Sequence, residues 1–170
     1  MYQELNAGKT NELSLQRRGW LFPEYTLTDN TFNYGKLSYK GLSKRNATVC
    51  LAGHEFSFNF ERIFSRAILI TDEKGMVTGK CTREPFTRTR ILTLKSGFSA
   101  RFYRPSFFSR EHVWDSEGYG KLMGITNHFP FSLTTDIHLY QSQTPASIIP
   151  LMIFLGAHLI IVKRQQRAVH

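Results

Sequence analysis

The sequence predicts a mainly β fold, an antiparallel closed barrel around a hydrophobic C-terminal α-helix. Three observations lead to this prediction: apolar residues alternate with polar ones over most of the chain, turn signals recur roughly every 8 to 12 residues, and one long apolar stretch lies near the end. A helix that is apolar on all sides must be buried. A closed sheet would enclose it and would also leave no exposed strand edge.

Length and composition favour one domain that covers residues 1–170. The hydrophobic fraction of 41% and the 14 Phe residues exclude a disordered chain, a collagen and a coiled coil, and the two Cys residues exclude a disulfide scaffold. We expect a flexible segment over 1–12, a β barrel over 13–140 and a hydrophobic helix over 145–167.

The clearest strand signal is the segment His54–Phe60. Phe56, Phe58 and Phe60 share one face with His54, and polar residues alternate with them. Three shorter runs are strand candidates: Leu21–Leu27, Leu37–Tyr39 and Thr48–Ala52.

Three hairpins are predicted from paired apolar runs that flank a turn. Their turns centre on Gly75, on Lys95–Gly97 and on Asp115–Gly118, where glycine can adopt the positive φ of a tight turn. The paired runs are Ala67–Thr71 with Met76–Thr82, the two halves of Arg90–Arg104, and Val113–Trp114 with Tyr119–Thr126.

The apolar stretch Ile148–Val162 is predicted to be a helix, interrupted only by Pro150 and His158. It would be about 22 Å long, whereas a bilayer core is about 30 Å thick. This shortfall favours burial inside protein, although the basic residues after Val162 also suit a short tail anchor with its flank outside the bilayer. The residues predicted to form the central helix are Ile148, Leu151, Phe154, Leu155, His158, Leu159 and Val162.

This order of elements resembles the Tubby C-terminal-like superfamily, which includes Tubby, the phospholipid scramblases and the LURP-one-related proteins. The likeness covers about Leu13 to Arg167 and rests on four features: the hairpin Ile68–Gly75, the segment Phe129–Leu133 that leads through Pro145 into the apolar helix, the aromatic residues Phe56 and Phe58, and Trp114 with Asp115. The resemblance implies an antiparallel closed barrel of about a dozen strands that encloses its last helix. It also implies a non-catalytic, lipid-associated or scaffolding role.

Net charge is +9, and the basic residues are concentrated between Arg83 and Arg110. Such a patch attracts anions, and guanidinium groups grip phosphate oxygens in pairs. We therefore expect a binding site for an anionic, phosphoinositide-like lipid headgroup or a phosphorylated partner; an ordinary solvated surface is the alternative. The predicted ligand residues are Arg83, Arg88, Arg90, Arg101 and Arg104.

Other functions have weaker support. The segment Lys95–Tyr103 resembles an RNA-recognition strand with stacking rings, so a nucleic-acid-binding β domain is a second alternative to the lipid-binding module. The six His residues have no metal-ligand spacing and no catalytic motif occurs, so no cofactor and no metal are predicted. Met1–Trp20 lacks a signal-peptide pattern, from which we expect a cytoplasmic protein, peripheral to or anchored in a membrane.

Overall fold

A computed structural model of the chain describes residues 1–41, 44–62, 65–128, 133–140 and 145–168. Twelve antiparallel strands form one closed barrel in which each strand pairs with its neighbours in the sequence. The predicted fold class is therefore confirmed. The strands are β1 (Glu12–Arg18), β2 (Glu24–Thr28), β3 (Asn33–Tyr39), β4 (Ala47–Leu51), β5 (His54–Phe60), β6 (Ile68–Asp72), β7 (Val77–Arg83), β8 (Arg90–Leu94), β9 (Ser99–Tyr103), β10 (Glu111–Ser116), β11 (Gly120–Asn127) and β12 (Thr134–Leu139).

Pairing of the first strand with the last closes the barrel. Glu12 of β1 lies opposite His138 of β12, and Gln16 lies opposite Thr134. Alternate residues point inward, as period two requires: Thr135, Ile137 and Leu139 of β12 are buried, and the residues between them are exposed.

The interior is filled by a single helix, α1 (Ile149–Ala168). Every residue from Ile149 to Val162 is buried, and the helix packs against β3, β4, β10 and β11. Two glycines allow this close approach. A Cβ atom at Gly156 would lie 2.8 Å from Trp114 Nε1, and one at Gly35 would lie 3.0 Å from Phe154 Cε2. Among the described residues, no helix has both the length and the apolar character to cross a membrane.

Several element boundaries differ from the predicted ones. β1 and β12 were not predicted, and β2 begins at Glu24 because Leu21 and Phe22 are exposed in the preceding turn. The helix begins at Ile149, one residue after the half-buried Ile148, and continues past Val162 to Ala168. Residues 129–132 of the segment used for the resemblance lie outside the described residues.

The two ends of the barrel differ in what they hold. We call the end where the last turns of α1 emerge the exit mouth, and the opposite end the entry mouth. Because the strands alternate in direction, every second connection lies at the same end. The exit mouth is formed by the connections β1–β2, β3–β4, β5–β6, β7–β8, β9–β10 and β11–β12.

Candidate anion-binding site

A cavity of about 260 Å³ opens at the exit mouth, between the last turns of α1 and strands β7 to β10. Its walls include Phe102, Tyr103 and His112, with Leu159 and Ile160 of the helix at the base. Six cationic side chains line it: Arg66, Arg83, Arg88, Arg90, Lys163 and Arg167. We call this group the cation cluster.

Local structure explains how the cation cluster forms. Arg83 follows the buried Cys81 by two residues and Arg90 precedes the buried Leu92 by two, so both continue an inward-facing row of their strand to the mouth. The two are directly opposite in the β7–β8 register. Lys163 and Arg167 are four residues apart on α1 and therefore share one face of the helix.

Backbone carbonyls fix two of the guanidinium groups. Arg83 donates from Nε to the carbonyl oxygen of Thr87 at 2.8 Å. Arg90 donates from Nη1 to the carbonyl oxygen of Arg66 at 2.6 Å. These bonds leave further N–H groups of both side chains available to a ligand, since each guanidinium has five donors.

The acidic side chains near the exit mouth pair with cations outside the cluster. Two of these ion pairs join neighbouring strands and two reach across one intervening strand, and none includes a member of the cluster. The pairs are Glu24 with Lys36 at 2.8 Å, Glu61 with Lys80 at 2.8 Å, Glu84 with Arg101 at 3.4 Å and Glu111 with Lys121 at 3.7 Å. Within the part of the chain that the structure describes, the six cations of the cluster thus have no carboxylate partner.

Crowding of like charges is visible in the pKa values. Burial lowers the pKa of the Lys163 ammonium, and Arg167, Arg104, Arg88 and Arg90 lower it further. Burial also lowers the pKa of Arg90. Both shifts disfavour the charged form, so an anion placed among these groups would be stabilised by them.

His112 is a further polar residue that lines the cavity. Its ring stacks on Phe102, with centroids 5.4 Å apart and planes at 15°. Burial, with Lys163 and Arg104 as further causes, lowers the pKa of His112 to about 4, so the ring is neutral at pH 7. Its buried Nδ1 atom has no hydrogen-bond partner among the described residues.

Three of the five predicted ligand residues meet in the cavity, and two do not. Arg83, Arg88 and Arg90 line it. Arg101 is exposed on β9 between the buried Ala100 and Phe102, so it lies on the outer face, where it pairs with Glu84. Arg104 donates from Nη2 to the carbonyl oxygens of Phe107 and Ser109 and so shapes the β9–β10 connection.

Sequence reasoning did not assign Arg66, His112, Lys163 and Arg167 to this site. A signal exists for two of them, since Lys163 and Arg167 are among the basic residues that follow the apolar stretch. Knowing that every second connection of such a barrel shares one end would also have placed Arg66 beside the β7–β8 connection.

The predicted central-helix residues lie as expected inside the barrel, apart from the half-buried Ile148. His158 is fully buried, and its Nδ1 atom lies 3.1 Å from the Tyr39 hydroxyl. Burial lowers the pKa of His158 to about 3, which keeps the ring neutral. This residue is a hydrogen-bonded part of the core and does not line the cavity.

A second cavity, of about 350 Å³, opens at the exit mouth on another side of α1. Leu15, Ile160 and Ile161 form part of its apolar wall. Arg17, Lys44 and Arg164 line it as well, and Asp and Glu are absent from the described residues around it. Positive charge therefore surrounds the emerging helix on more than one side.

Both cavities offer nitrogen donors for an anion. Among the described residues, no group of three or more His, Cys, Asp and Glu side chains could hold a metal ion. No family model matches the chain, and neither a curated protein nor a solved structure is significantly similar to it.

Proposed function

We propose that this chain is a non-catalytic binding module of the Tubby-like superfamily that holds the phosphorylated headgroup of an anionic membrane lipid in the exit-mouth cavity. The observation that carries the proposal is the cation cluster, six convergent Lys and Arg side chains without a carboxylate partner among the described residues. The architecture of the chain, a closed barrel of twelve strands around one C-terminal helix, is consistent with that superfamily.

Phosphate is the ligand chemistry that suits these donors best. A phosphate group carries about two negative charges and three acceptor oxygens, and guanidinium forks bind it through paired hydrogen bonds. Arg83 and Arg90 present such forks from neighbouring strands, and Lys163 adds a point charge from the helix. The cavity is also part-buried, so screening by salt is weaker there than on an open surface.

The alternatives have less support. The predicted nucleic-acid strand, Lys95–Tyr103, would need its own rings exposed for stacking, but Phe102 is only 4% exposed and Phe98 packs against the core. A tail anchor would need α1 in the bilayer, but its apolar residues fill the barrel.

Vesicle co-sedimentation tests the proposal. The double variant Arg83→Ala/Arg88→Ala removes two cations of the cluster, and Lys74→Ala/Lys95→Ala removes the same charge at the entry mouth. Each basic residue near an anionic membrane contributes about 1 kcal/mol to the binding free energy. The Arg83→Ala/Arg88→Ala variant should therefore lose about 2 kcal/mol, or roughly 30-fold in affinity, for phosphatidylcholine vesicles that contain phosphatidylinositol bisphosphate. The Lys74→Ala/Lys95→Ala variant should bind these vesicles nearly as wild type does.

Two results would contradict the proposal. One is an equal loss in both variant pairs, because the effect would then come from net charge alone. The other is wild-type binding of equal strength to vesicles of pure phosphatidylcholine. Binding to a phosphorylated peptide but not to vesicles would point to a protein partner instead of a lipid.

A further inference from the structure

Large apolar side chains project from the connections that surround the exit mouth. Trp20 is 87% exposed, Phe86 is 109% exposed and Phe108 is 90% exposed. Among the described residues of these connections, the exposed large apolar side chains, which we call the apolar rim, are Trp20, Leu21, Phe22, Phe86, Phe107, Phe108 and Leu133.

The entry mouth differs. Its connections expose Phe32, Met76 and Tyr119, at 44%, 59% and 44%. Among the described residues, these side chains are fewer and on average less exposed than those of the apolar rim, and soluble domains commonly leave single apolar side chains in water. The apolar side chains that face solvent are therefore concentrated at the exit mouth in the described part of the chain.

The backbone at Phe86 is strained in a conformation that projects the side chain into solvent. Phe86 has φ +59°, a left-handed conformation that costs a bulky residue about 1–2 kcal/mol. Its side chain is fully exposed, so no packing inside the chain compensates for that cost. Strain of this kind is typical of functional positions.

Phe107 and Phe108 are also presented by specific contacts. Their rings meet edge to face, with centroids 5.4 Å apart. Arg104 donates to the backbone of the same connection, at Phe107 and at Ser109. This gives Arg104 a positioning role for the rim, in place of the ligand role predicted from the sequence.

The two mouths also differ in charge. The connections at the exit mouth carry eight basic residues against Glu61 and Glu84, and α1 adds three more basic residues at its end. The connections at the entry mouth carry two basic residues against three acidic ones. The basic residues at the exit mouth are Lys40, Lys44, Arg45, Arg62, Arg66, Arg88, Arg104 and Arg110, followed by Lys163, Arg164 and Arg167.

We propose that the exit mouth docks face down on an anionic lipid bilayer, with the apolar rim inserted at the boundary between headgroups and acyl chains. This inference rests on the proposed function, because the lipid headgroup in the cavity would be the central contact. An anionic bilayer matches the surface in both respects: its charge attracts the basic residues, and its interfacial layer favours Trp and other aromatic rings.

Trp20 serves as a built-in reporter of insertion. The chain has two Trp residues, and the other, Trp114, is fully buried. Vesicles of phosphatidylcholine and phosphatidylserine, with phosphatidylinositol bisphosphate added, should shift the Trp20 emission to shorter wavelength. Lipids brominated near the glycerol end of their acyl chains should quench it.

Rim variants separate docking from headgroup binding. The variant Phe86→Gly/Phe107→Ser/Phe108→Ser should bind inositol trisphosphate, the soluble headgroup, as wild type does in calorimetry. It should bind the anionic vesicles at least tenfold more weakly, because three apolar side chains no longer enter the interface. Phe32→Ser/Met76→Ser/Tyr119→Ser, the matched change at the entry mouth, should leave vesicle binding unchanged.

Each outcome decides the question. If the rim variant binds vesicles as wild type does and Trp20 is not quenched, the docking inference is wrong while headgroup binding stands. If wild type binds neither inositol trisphosphate nor anionic vesicles, both proposals are wrong. If sedimentation velocity instead shows rim-dependent self-association without vesicle binding, a second copy of the chain covers the rim, and the membrane inference is overturned.

Discussion

Replacement of Gly156 by Ala tests the placement of the helix inside the barrel, on which both proposals depend. The added methyl group would lie 2.6 Å from Ile125 Cδ1, 2.8 Å from Trp114 Nε1 and 3.1 Å from Phe102 Cε2. The tip of Ile125 can shift, but the indole of Trp114 is fully buried and packs against Phe102 with ring centroids 4.7 Å apart. The helix or the ring must therefore move.

Two opposing effects set the change in the free energy of unfolding that Gly156→Ala should cause. Ala is favoured over Gly in a helix by about 0.8–1.0 kcal/mol. Overpacking of a well-filled core costs about 1–3 kcal/mol. Because the clash includes a rigid ring, we expect a net loss of about 1–2 kcal/mol in the free energy of unfolding. That loss corresponds to a decrease of roughly 2–8 °C in Tm for a domain of this size.

Urea denaturation followed by fluorescence and by circular dichroism measures this change. Gly118→Ala is the matched control, because a Cβ atom there meets nothing within 4 Å. It should change stability by less than about 0.5 kcal/mol. A Gly156→Ala protein more stable than wild type by about 1 kcal/mol would show that the helix propensity acts unopposed, and it would refute the placement of α1 against β10 and β11.

Three further predictions concern stability. Tyr39→Phe should cost about 1–3 kcal/mol, because it leaves the buried His158 without its hydroxyl partner; a change below about 0.5 kcal/mol in urea denaturation would argue against the bond. Acidification should destabilise the fold. The pKa values of His112 and His158 are about 4 and about 3 in the folded state, against 6.5 in the unfolded chain. The unfolded chain therefore binds protons first as the pH falls, and the free energy of unfolding decreases from about pH 6.5 to about pH 3. Denaturation across this range should give a shallower slope for His112→Gln, whereas an unchanged slope would contradict the shifted pKa of His112. Phe86→Gly alone should raise the free energy of unfolding by about 1 kcal/mol, because glycine adopts φ +59° without strain, and a loss of stability would mean that the ring has packing partners.

Much of the barrel could be predicted because its central segments carry strong local patterns. His54–Phe60 alternates aromatic and polar residues, and Gly75 and Gly97 mark hairpin turns, where they adopt φ +76° and +89°. β1 and β12 carry this signal only weakly. Each has two apolar residues at alternate positions, Leu13 and Leu15 in β1 and Ile137 and Leu139 in β12, and the two strands, from opposite ends of the barrel sequence, pair with each other.

The cation cluster was only half predictable for a similar reason. Arg83, Arg88 and Arg90 are close in sequence, so the charge run identified them. Lys163 joins them through the rotation of α1 inside the barrel, which no local pattern encodes. Arg101 shares the same run but alternates to the outer face, where Glu84 neutralises it. Local charge density identified part of the cation cluster, and strand register decided which residues of the charge run belong to it.

The position of α1 in the chain order has a consequence for synthesis on the ribosome. The helix that fills the barrel follows all twelve strands, so the strands emerge before the residues around which they close. At about 5–20 residues per second, the 20 residues of α1 add about 1–4 s of translation, during which the nascent strands lack their interior. The chain therefore cannot reach its native state strand by strand as it emerges, and a holdase chaperone that covers the apolar strand faces during this interval would increase the yield of folded protein.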